Sequence, residues 1–260
     1  MSKKRHIATE KMLFHEMLEA LPEQEKWAET KFSRLKRIAK LSSDARVLDI
    51  GASWGGFIVA AQKLGYRCEG IEPWEEARLN AIKLSDQLEI PIHIMEGRAE
   101  SLPYDANTFD IVHAASTIEH VSDVEMAFKE ICRVLKPSGI FWFNVSNALC
   151  PSAQGEIEGF PLFGWYPNSL KLKIMSWAKN AKPHLVGYTM TPAINWFTPA
   201  KAHTLLYRCG FKHVYDRWDL RGEDEGGRIY KVALRLARSS GMSKFLADVF
   251  VCGSSYAAIK

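Results

Sequence analysis

The most constraining feature of the sequence is a regular alternation of short apolar runs with helical stretches over residues 42–146. The apolar runs lie at 46–50, 67–71, 92–95, 109–114 and 139–145, and helical stretches at 56–64, 75–87 and 123–135 lie between them. This rhythm is typical of parallel strands joined by crossover helices. We therefore predict an α/β fold whose core is a doubly wound, mainly parallel sheet.

Further elements flank this core. Residues 8–41 carry apolar side chains at helical spacing on either side of Pro22, which predicts two N-terminal helices. Residues 151–199 break the rhythm and fill with aromatic side chains, so we predict an insertion that forms a lid over the site. The whole chain, 1–260, is then one domain with a seven-stranded sheet. Its last predicted elements are a helix at 200–208, a strand at 211–218, a charged helix at 226–239 and a strand at 248–259.

Composition supports a single globular domain. With 260 residues, of which 47% are hydrophobic and 25% charged, the chain can bury a substantial core. No run approaches the roughly 20 apolar residues that span a bilayer, and the N-terminal stretch lacks an apolar signal core, so we expect a cytoplasmic protein. The five cysteines are scattered along the sequence, which predicts neither a metal-binding pair nor a disulfide framework. The net charge of +4 is too small to indicate nucleic acid.

A glycine-rich turn follows the first predicted strand. Gly51, Ser53 and Gly55 stand where the chain must turn from that strand into a helix. Small residues let the backbone approach a ligand there, and the N-terminus of the helix offers free N–H groups. The same spacing also fits a degenerate dinucleotide-binding turn, so it leaves a nicotinamide-dependent oxidoreductase open.

Two acidic residues narrow the choice of ligand. Asp49 precedes the first glycine by two positions, where a carboxylate would repel a pyrophosphate but attract a cation. Glu72 follows the second predicted strand, where a carboxylate can accept hydrogen bonds from both ribose hydroxyls of an adenosine. Asp49 therefore favours a positively charged ligand over a dinucleotide, whereas Glu72 supports nucleoside binding without choosing between the two. The structural alternative is that Asp49 caps the turn and Glu72 caps the next helix.

Three segments, in order, resemble the methyltransferase domain of class I S-adenosylmethionine-dependent enzymes of the ubiquinone type. They are the turn at 47–56, the stretch from 96 to 112 and the helix end at 130–139. The second resembles the family's Gly-Asp-Ala-x-x-Leu-Pro-Phe and Ser-Phe-Asp-x-Val stretches, and the third resembles its Arg-x-Leu-Lys-Pro-Gly-Gly stretch. The resemblance implies the Rossmann-like methyltransferase fold, S-adenosyl-L-methionine as the methyl donor and methyl transfer as the reaction.

The resemblance also implies which residues contact the donor. Arg98 replaces the family's acid for the adenine amino group and cannot accept a hydrogen bond, so either Glu100 substitutes for it or the contact is missing. Pro73 or Trp74 would cover the face of the adenine, and Ala99 would line it. The predicted donor-binding residues are Asp49, Gly51, Ser53, Gly55, Glu72, Pro73, Trp74, Ala99, Glu100 and Ser116.

The loop after the fourth predicted strand lies beside the transferred methyl group in this fold. His120 is the candidate general base, because the ordinary pKa of histidine, about 6.5, suits removal of a proton near neutral pH, and Glu119 is the second catalytic candidate. The alternative is that His120 only hydrogen-bonds within the loop. Relatives that bind a divalent metal use Glu-x-x-Glu-His, but Ser116 stands at the first carboxylate position, so we predict no metal.

The aromatic insertion is the predicted acceptor-binding region. From 159 to 215 there is no Asp or Glu but several Lys and Arg, which suits an acceptor that is anionic and also apolar or ring-shaped. Packing within the lid is the alternative role for most of these aromatic residues. The predicted substrate contacts are Trp165, Tyr166, His184 and Tyr188.

One helix of this insertion is predicted to be amphipathic. Over 170–181 the apolar positions recur at helical spacing, which would turn one face toward the lid core or toward a membrane surface. A peripheral membrane contact is therefore an expectation for this segment. The predicted inward residues are Leu172, Ile174, Met175 and Trp177.

The sequence thus predicts O-methylation of a small-molecule, sugar or lipid-linked hydroxyl. We expect no nucleic-acid acceptor, because the loop after the fourth strand lacks the Asn/Asp-Pro-Pro-Tyr/Phe motif and the chain has no Pro-Cys nucleophile. One alternative is a lipid C-methyltransferase related to cyclopropane-fatty-acid synthases, which 54–56 and 119–121 also resemble. Another is a protein that binds the cofactor without catalysis, for which Arg98 is the only indication.

Overall fold

One mainly parallel sheet organises the molecule. The computed structural model describes residues 14–153, 157, 159–182, 185–186, 192–193 and 195–260. Within them the strand order is β3-β2-β1-β4-β5-β7-β6, and β7 runs antiparallel to both of its neighbours. This confirms the predicted doubly wound, seven-stranded α/β fold. The strands are β1 Arg46–Ile50, β2 Arg67–Ile71, β3 Ile94–Met95, β4 Phe109–Ala115, β5 Leu135–Ser146, β6 His213–Tyr215 and β7 Gly253–Ile259.

Helices cover both faces of the sheet. On one face Phe32 and Phe57, from the first two helices, pack with Val47 of β1. On the other face Phe128 and Leu206 pack with Phe141 of β5. Burial of these apolar layers is the main contribution to folding. The helices are α1 Phe14–Ile38, α2 Gly56–Lys63, α3 Glu75–Leu88, α4 Val124–Val134, α5 Asn168–Ala181, α6 Pro199–Arg208, α7 Arg217–Leu220, α8 Arg228–Arg238 and α9 Gly241–Val249.

The N-terminal region is one described helix and not the predicted pair. α1 continues through Pro22, although an internal proline removes a backbone hydrogen bond and costs roughly 3 kcal/mol. Packing on both sides of the proline offsets that cost. Met17 and Leu21 lie against Trp54 before the proline. Phe32, which follows it, stacks on Tyr66 with ring centroids 4.0 Å apart.

The C-terminal strands are shorter than the sequence predicts. The strand predicted at 211–218 ends at Tyr215, because the carboxylate of Asp216 accepts hydrogen bonds from the Trp218 and Asp219 amides and starts α7. The strand predicted at 248–259 begins only at Gly253, because α9 occupies Gly241–Val249. α9 was not among the predicted elements.

The insertion has a small core of its own. We call residues 147–197 the cap. Phe163, Met175 and Trp196 are buried together there, apart from the two clusters that cover the sheet. This packing agrees with the alternative of core packing for part of the cap. Its role as a lid over the site stays a prediction, as does the single-domain division of the chain.

Two cysteines meet at the base of the cap. The Sγ atoms of Cys150 and Cys252 lie 3.1 Å apart, although the sequence separates them widely. Cys150 follows β5 and Cys252 precedes β7, and these strands are antiparallel neighbours. Both are free thiols, so this contact is not a disulfide, and their spacing in the sequence did not indicate it. Among the described residues, no helix is both long and apolar enough to cross a membrane.

Candidate active site

The glycine-rich turn is held in a tight conformation at the carboxyl end of β1. Gly51, Ser53 and Gly55 all have positive φ angles, of 72°, 50° and 81°. The Gly51 N–H donates to the Ile71 carbonyl at 2.9 Å, which ties the turn to β2. A Cβ atom on Gly51 would collide with the side chain of Thr117. The turn therefore needs glycine at 51 for both its backbone angle and its space.

Glu72 lies beside this turn, as predicted from its position after β2. The carboxylate is buried and accepts hydrogen bonds from the Ser53 amide at 2.9 Å and the Trp74 amide at 3.1 Å. Burial raises its pKa above the ordinary glutamate value, although the two amide hydrogen bonds oppose that change. The carboxylate keeps capacity for more donors, since each oxygen can accept two hydrogen bonds. It can therefore accept hydroxyl groups of a ligand seated on the turn.

Asp49 is part of a buried chain of polar side chains that sequence analysis missed. Its Oδ1 atom accepts a hydrogen bond from Nδ1 of His113 at 2.7 Å, and Nε2 of His113 lies 2.8 Å from the Nζ atom of Lys31. A neutral His113 satisfies both contacts, donating through Nδ1 and accepting through Nε2. Burial and the Lys31 charge lower the pKa of His113 to about 4, which agrees with the neutral form. Burial also lowers the pKa of Lys31 to about 8.

This chain changes the interpretation of Asp49. The residue shares a face of β1 with Val47, beneath α1 and α2, and pairs in register with His113 of β4. One carboxylate oxygen therefore belongs to the protein interior. Direct contact between Asp49 and a cationic donor stays a prediction. Through His113 and Lys31, Asp49 links β4 and α1 to the glycine-rich turn at 51–55, which we call the donor turn.

The loop between β3 and β4 is held in place by hydrogen bonds to side chains of α4. Arg133 donates to the carbonyls of Leu102 at 3.0 Å and Tyr104 at 2.7 Å, and it pairs with Glu130 at 2.8 Å. Glu130 also accepts from the Leu102 amide. Ala99, the predicted adenine contact, is buried on this loop. The third motif of the resemblance therefore supports the loop instead of touching a ligand.

Glu100 is drawn toward the neighbouring loop. Its Oε1 atom accepts from the Ser122 amide at 2.7 Å and from the Ser122 hydroxyl at 2.8 Å. Burial alone would raise the pKa of Glu100, but these hydrogen bonds outweigh it and hold the pKa below the ordinary value. Its role as the substitute acid for adenine stays a prediction. Pro73 and Trp74 are both half-buried next to Glu72.

The loop after β4 reaches the donor turn, as the resemblance implies. The Thr117 hydroxyl donates to the Ile50 carbonyl at 3.0 Å, and the His120 amide donates to the Thr117 carbonyl at 2.9 Å. His120 is half-buried and Ser116 is exposed, with a positive φ of 51°. The geometry brings His120 and the turn to the same edge of the sheet.

Glu119 points into the protein. It is buried, and its carboxylate accepts a hydrogen bond from the Ser146 amide at the end of β5. Its carbonyl accepts from the Asn195 amide at 3.1 Å, and the Asn195 side chain donates to the Val121 carbonyl at 2.6 Å. Glu119 thus joins the β4 loop to β5 and to the cap. A direct catalytic contact by Glu119 stays a prediction.

The predicted substrate contacts are only partly described. Trp165 is exposed, and Tyr166 is half-buried against Phe163, with ring centroids 5.6 Å apart. His184 and Tyr188 lie outside the described residues. Nothing in the described part of the cap assigns an acceptor to these four side chains, so their role stays a prediction.

The orientation of α5 differs from the predicted one. Met175 is buried and Ile174 is half-buried, as expected, but Leu172 and Trp177 are exposed. The helix turns Lys171 inward with Met175 instead. The buried ammonium group of Lys171 lies 4.9 Å from the centre of the Trp196 ring and 5.9 Å from that of Phe163. Aromatic faces stabilise a cation in this position, which compensates for its burial.

Metal binding was not expected from the sequence. The described residues contain no group of three or more His, Cys, Asp or Glu side chains arranged to hold a metal ion. The structure therefore offers no described site for one near His120.

Comparison with known proteins agrees with the geometry of the turn and its loops. The sequence model described as "Methyltransferase domain" matches residues 48–143, which run from β1 through most of β5. A match to methyltransferases decides between the two ligands that the glycine turn fits, in favour of S-adenosylmethionine over a nicotinamide dinucleotide. All ten of the predicted donor contacts lie within this range.

Curated relatives transfer methyl groups to different atoms. The chain is 30% identical to the glycine/sarcosine/dimethylglycine N-methyltransferase of Actinopolyspora halophila over 133 residues, 50% of this chain and 24% of that protein. It is 28% identical to a ubiquinone biosynthesis O-methyltransferase of Idiomarina loihiensis over 127 residues, 47% of this chain and 51% of that protein. It is 30% identical to a sterol 4-C-methyltransferase of Caenorhabditis elegans over 105 residues, 39% and 31% respectively. The chain spans about half the length of these relatives or less.

Solved structures share the fold. The YcgJ protein of Bacillus subtilis superposes with a TM-score of 0.54 at 18% identity, covering 89% of this chain and 98% of that one. A Thermotoga maritima S-adenosylmethionine-dependent methyltransferase superposes with a TM-score of 0.52 at 18% identity, covering 95% of each chain. The model match and the curated relatives identify residues 48–143 as a methyltransferase domain of the S-adenosylmethionine-dependent kind, and the strand order agrees with the fold of these solved structures.

Proposed function

We propose that the chain transfers the methyl group of S-adenosylmethionine to a hydroxyl group of a small-molecule, sugar or lipid-linked acceptor. The observation that carries this proposal is the meeting of the donor turn, Glu72 and the His120 loop at one edge of the sheet. A donor bound on the turn would present its methyl group toward that loop. The O-methyltransferase among the relatives supports the choice of a hydroxyl.

The residues present suit the donor. The turn at Gly51 has no room for a side chain, so its backbone can lie against a ligand. Glu72 would accept the ribose hydroxyls, and Trp74 would cover the adenine. When bound, S-adenosylmethionine supplies a methyl group carried on a sulfonium. The acceptor oxygen would take that methyl group by in-line displacement, and S-adenosylhomocysteine would be the leaving group. The chain itself then has to bind, orient and deprotonate the acceptor.

His120 is the residue that we assign to the proton. A hydroxyl becomes a strong nucleophile as it loses its proton, and a half-buried imidazole can accept that proton through a ring nitrogen. The Thr117 carbonyl and the Ile50 carbonyl hold the loop in place relative to the turn. Glu119 then has a positioning role, because its carboxylate binds the Ser146 amide and fixes the base of the same loop.

Lys171 favours an acceptor that carries a negative charge. The buried ammonium group faces two aromatic rings, and no described carboxylate lies within ion-pair distance of it. Burial and the nearby Lys201 charge lower its pKa to about 8, so it is mainly protonated at neutral pH. The negative charge of Glu119 opposes this lowering of the pKa of Lys171. We assign to Lys171 the binding of an anionic group on the acceptor.

Transfer to carbon in a lipid acceptor is the second candidate. The sterol C-methyltransferase among the relatives favours it, as does the likeness of 54–56 and 119–121 to cyclopropane-fatty-acid synthases. Transfer to nitrogen is a third outcome, which the glycine/sarcosine relative favours. The bond formed in the product distinguishes the three.

The direct test is product identification. The purified chain is incubated with a cell extract and S-adenosylmethionine labelled in the methyl group, and labelled products are isolated by mass spectrometry and assigned by NMR. We expect a new methyl ether, since the proposed acceptor atom is a hydroxyl oxygen. A labelled methyl group on nitrogen or carbon contradicts the O-methylation proposal, and the absence of any labelled product contradicts methyl transfer.

Two pairs of variants test the residue roles on that product. His120→Ala should lower kcat at least about tenfold with unchanged donor affinity, whereas His93→Ala, an exposed histidine beside β3, should leave kcat unchanged. Lys171→Met should raise the acceptor KM by about tenfold, whereas the exposed neighbour Lys173→Met should not. Full turnover in His120→Ala would show that another group takes the proton.

A further inference from the structure

The helix pair α8 and α9 carries a large exposed apolar surface, which we call the hairpin surface. Ile229 on α8 is 88% exposed, and Phe250 after α9 is 83% exposed. Surface apolar residues are common singly, but a contiguous group of large ones marks an interaction site. The members of the hairpin surface are Ile229, Val232, Leu236, Met242, Phe245, Leu246 and Phe250.

The hairpin surface is separate from the face that holds α8 to the molecule. Leu234 and Ala237 are buried and anchor the helix. Ile229, Val232 and Leu236 recur three and four residues apart, so they form their own stripe on another side of α8. An amphipathic helix needs only one apolar face to fold against its own protein. The second stripe therefore has no described partner within this chain.

Positive charge surrounds this surface. The segment 226–247 contains five Lys and Arg residues and no Asp or Glu. Three of the five are engaged by the protein itself: Arg235 pairs with Glu223, Lys244 pairs with Asp216 and Asp219, and Arg238 donates to backbone carbonyls. The structure gives no ion pair for Arg228 or Lys231 with any described residue, and both are exposed. The only acid on the two helices is Asp248, which is buried and accepts a hydrogen bond from the Trp218 indole at 2.8 Å. The exposed part of the hairpin is thus apolar and basic.

The hairpin lies at the same edge of the sheet as the candidate active site. The chain leaves β6 at Tyr215 and returns to β7 at Gly253, which pairs with Ser146 at the end of β5. The hairpin therefore emerges at the carboxyl-end edge of the parallel strands, the edge that carries the donor turn and the His120 loop. Asn147, the first residue of the cap, donates its side-chain N–H groups to the carbonyls of Asp248 and Val251, both at 2.8 Å.

We propose that the hairpin surface docks on an anionic lipid bilayer. Apolar side chains would enter the interface between headgroups and acyl chains while Arg228 and Lys231 contact acidic headgroups. A second copy of this chain fits less well, because a two-fold interface around this stripe would bring the Arg228 and Lys231 charges of both copies close together. The proposal does not rest on the methyl acceptor.

The test is sedimentation of the whole chain with lipid vesicles. One set contains phosphatidylcholine alone, and the other contains phosphatidylcholine mixed with phosphatidylglycerol. We expect binding to the mixed vesicles at least about tenfold stronger than to the neutral ones, and weaker binding as salt increases. Equal binding to both sets, or none to the mixed set, would contradict the proposal.

Matched variants locate the surface. The double variant Ile229→Glu and Phe250→Glu should weaken binding to mixed vesicles about tenfold or more. The control is Leu79→Glu with Ile82→Glu, two exposed apolar residues on α3, and it should bind as the unchanged chain does. Calorimetric binding of S-adenosylhomocysteine and circular dichroism establish that each variant is folded.

Two further outcomes would overturn the assignment. If the α3 variant loses vesicle binding and the hairpin variant keeps it, the membrane contact lies on α3 and its assignment to the hairpin surface is wrong. If sedimentation equilibrium shows a dimer that the hairpin variant alone converts to a monomer, the surface binds a second copy. Arg228→Gln with Lys231→Gln should remove the preference for phosphatidylglycerol while the monomer stays folded.

Discussion

The donor half of the molecule, residues 46–146, and the cap at 147–197 use their charged groups differently. In the donor half, Glu72 accepts backbone amides and Arg133 donates to backbone carbonyls, so charge fixes the protein's own turns. In the cap, Lys171 lies over aromatic rings and has no described carboxylate partner. The difference teaches that the donor half is a fixed frame, whose charged groups hold its own backbone. The charge in the cap is the one that we propose for acceptor binding, and no family motif covers that region.

The largest expected effect comes from adding a side chain at Gly51, in the turn of the donor half. Gly51→Ala adds a Cβ that collides with Thr117 at a positive φ, so we expect about 4 kcal/mol of destabilisation from strain and overpacking together, and loss of donor binding. The matched control in the cap is Gly159→Ala, which has a similar φ of 83° but meets nothing within 4 Å among the described residues. It should cost only about 1 kcal/mol. Chemical denaturation measures both, and equal costs would contradict the close approach at Gly51.

The next effect is a pH dependence within the frame. The pKa of His113 falls from about 6.5 in the unfolded chain to about 4 in the fold, so the unfolded state binds the proton first as pH falls. Stability should therefore decline by roughly 3 kcal/mol from pH 6.5 to pH 4, at 1.36 kcal/mol per pKa unit. Denaturation at several pH values measures this slope. His113→Gln should flatten it, and an unchanged slope would assign the decline to other groups.

A thiol pair tests the boundary between frame and cap. Mild oxidation of the chain with diamide should join Cys150 and Cys252 into a disulfide, because their Sγ atoms already lie 3.1 Å apart. The two thiols lose two hydrogen atoms, and diamide is reduced to the hydrazine. We expect about 2 kcal/mol of stabilisation from closing the chain between β5 and β7. Cys150→Ser should abolish the disulfide and the stabilisation, and Cys68→Ser should keep both; a linkage through another cysteine would contradict the geometry.

The smallest effect compares two surface arginines. Arg133→Ala removes donors to the carbonyls of Leu102 and Tyr104, and because the side chain is 37% exposed we expect a cost of only about 1 kcal/mol. Arg208 is more exposed and pairs with Glu125, so Arg208→Ala should cost near zero. Thermal unfolding in parallel separates the two. Equal values would mean that the β3–β4 loop does not depend on α4.

Much of the frame was predictable because local signals and packing agree there. β1 and β2 begin and end at the predicted residues, since each starts at an arginine and ends where Gly51 or Glu72 follows a buried isoleucine. α1 was predicted as two helices, because Pro22 is a local signal that packing on both sides overrides. α5 was predicted with Trp177 inward, because periodicity scores Lys171 as polar and cannot foresee that aromatic rings receive its ammonium group.

A site residue was predictable where its place at the end of a strand was enough to locate it. Contacts between side chains that lie far apart in the sequence were not predictable. Glu72 lies beside the donor turn as its place after β2 predicts. The link from Asp49 to His113 and Lys31 joins positions far apart in the sequence, and only the pairing of β1 with β4 brings them together. Alternation along β4 does put His113 on the face of Ile111, so a known strand order would have revealed the pair.

The most direct test of the central claim is calorimetric titration of the chain with S-adenosylhomocysteine and with NAD. The account predicts binding of S-adenosylhomocysteine and none of NAD. Glu72→Ala should weaken that binding about 10- to 100-fold through lost hydrogen bonds, while Glu76→Ala, an exposed acid on α3, should leave it unchanged. Binding of NAD without S-adenosylhomocysteine, or equal affinity in both variants, would contradict a donor site built on the Gly51 turn and Glu72.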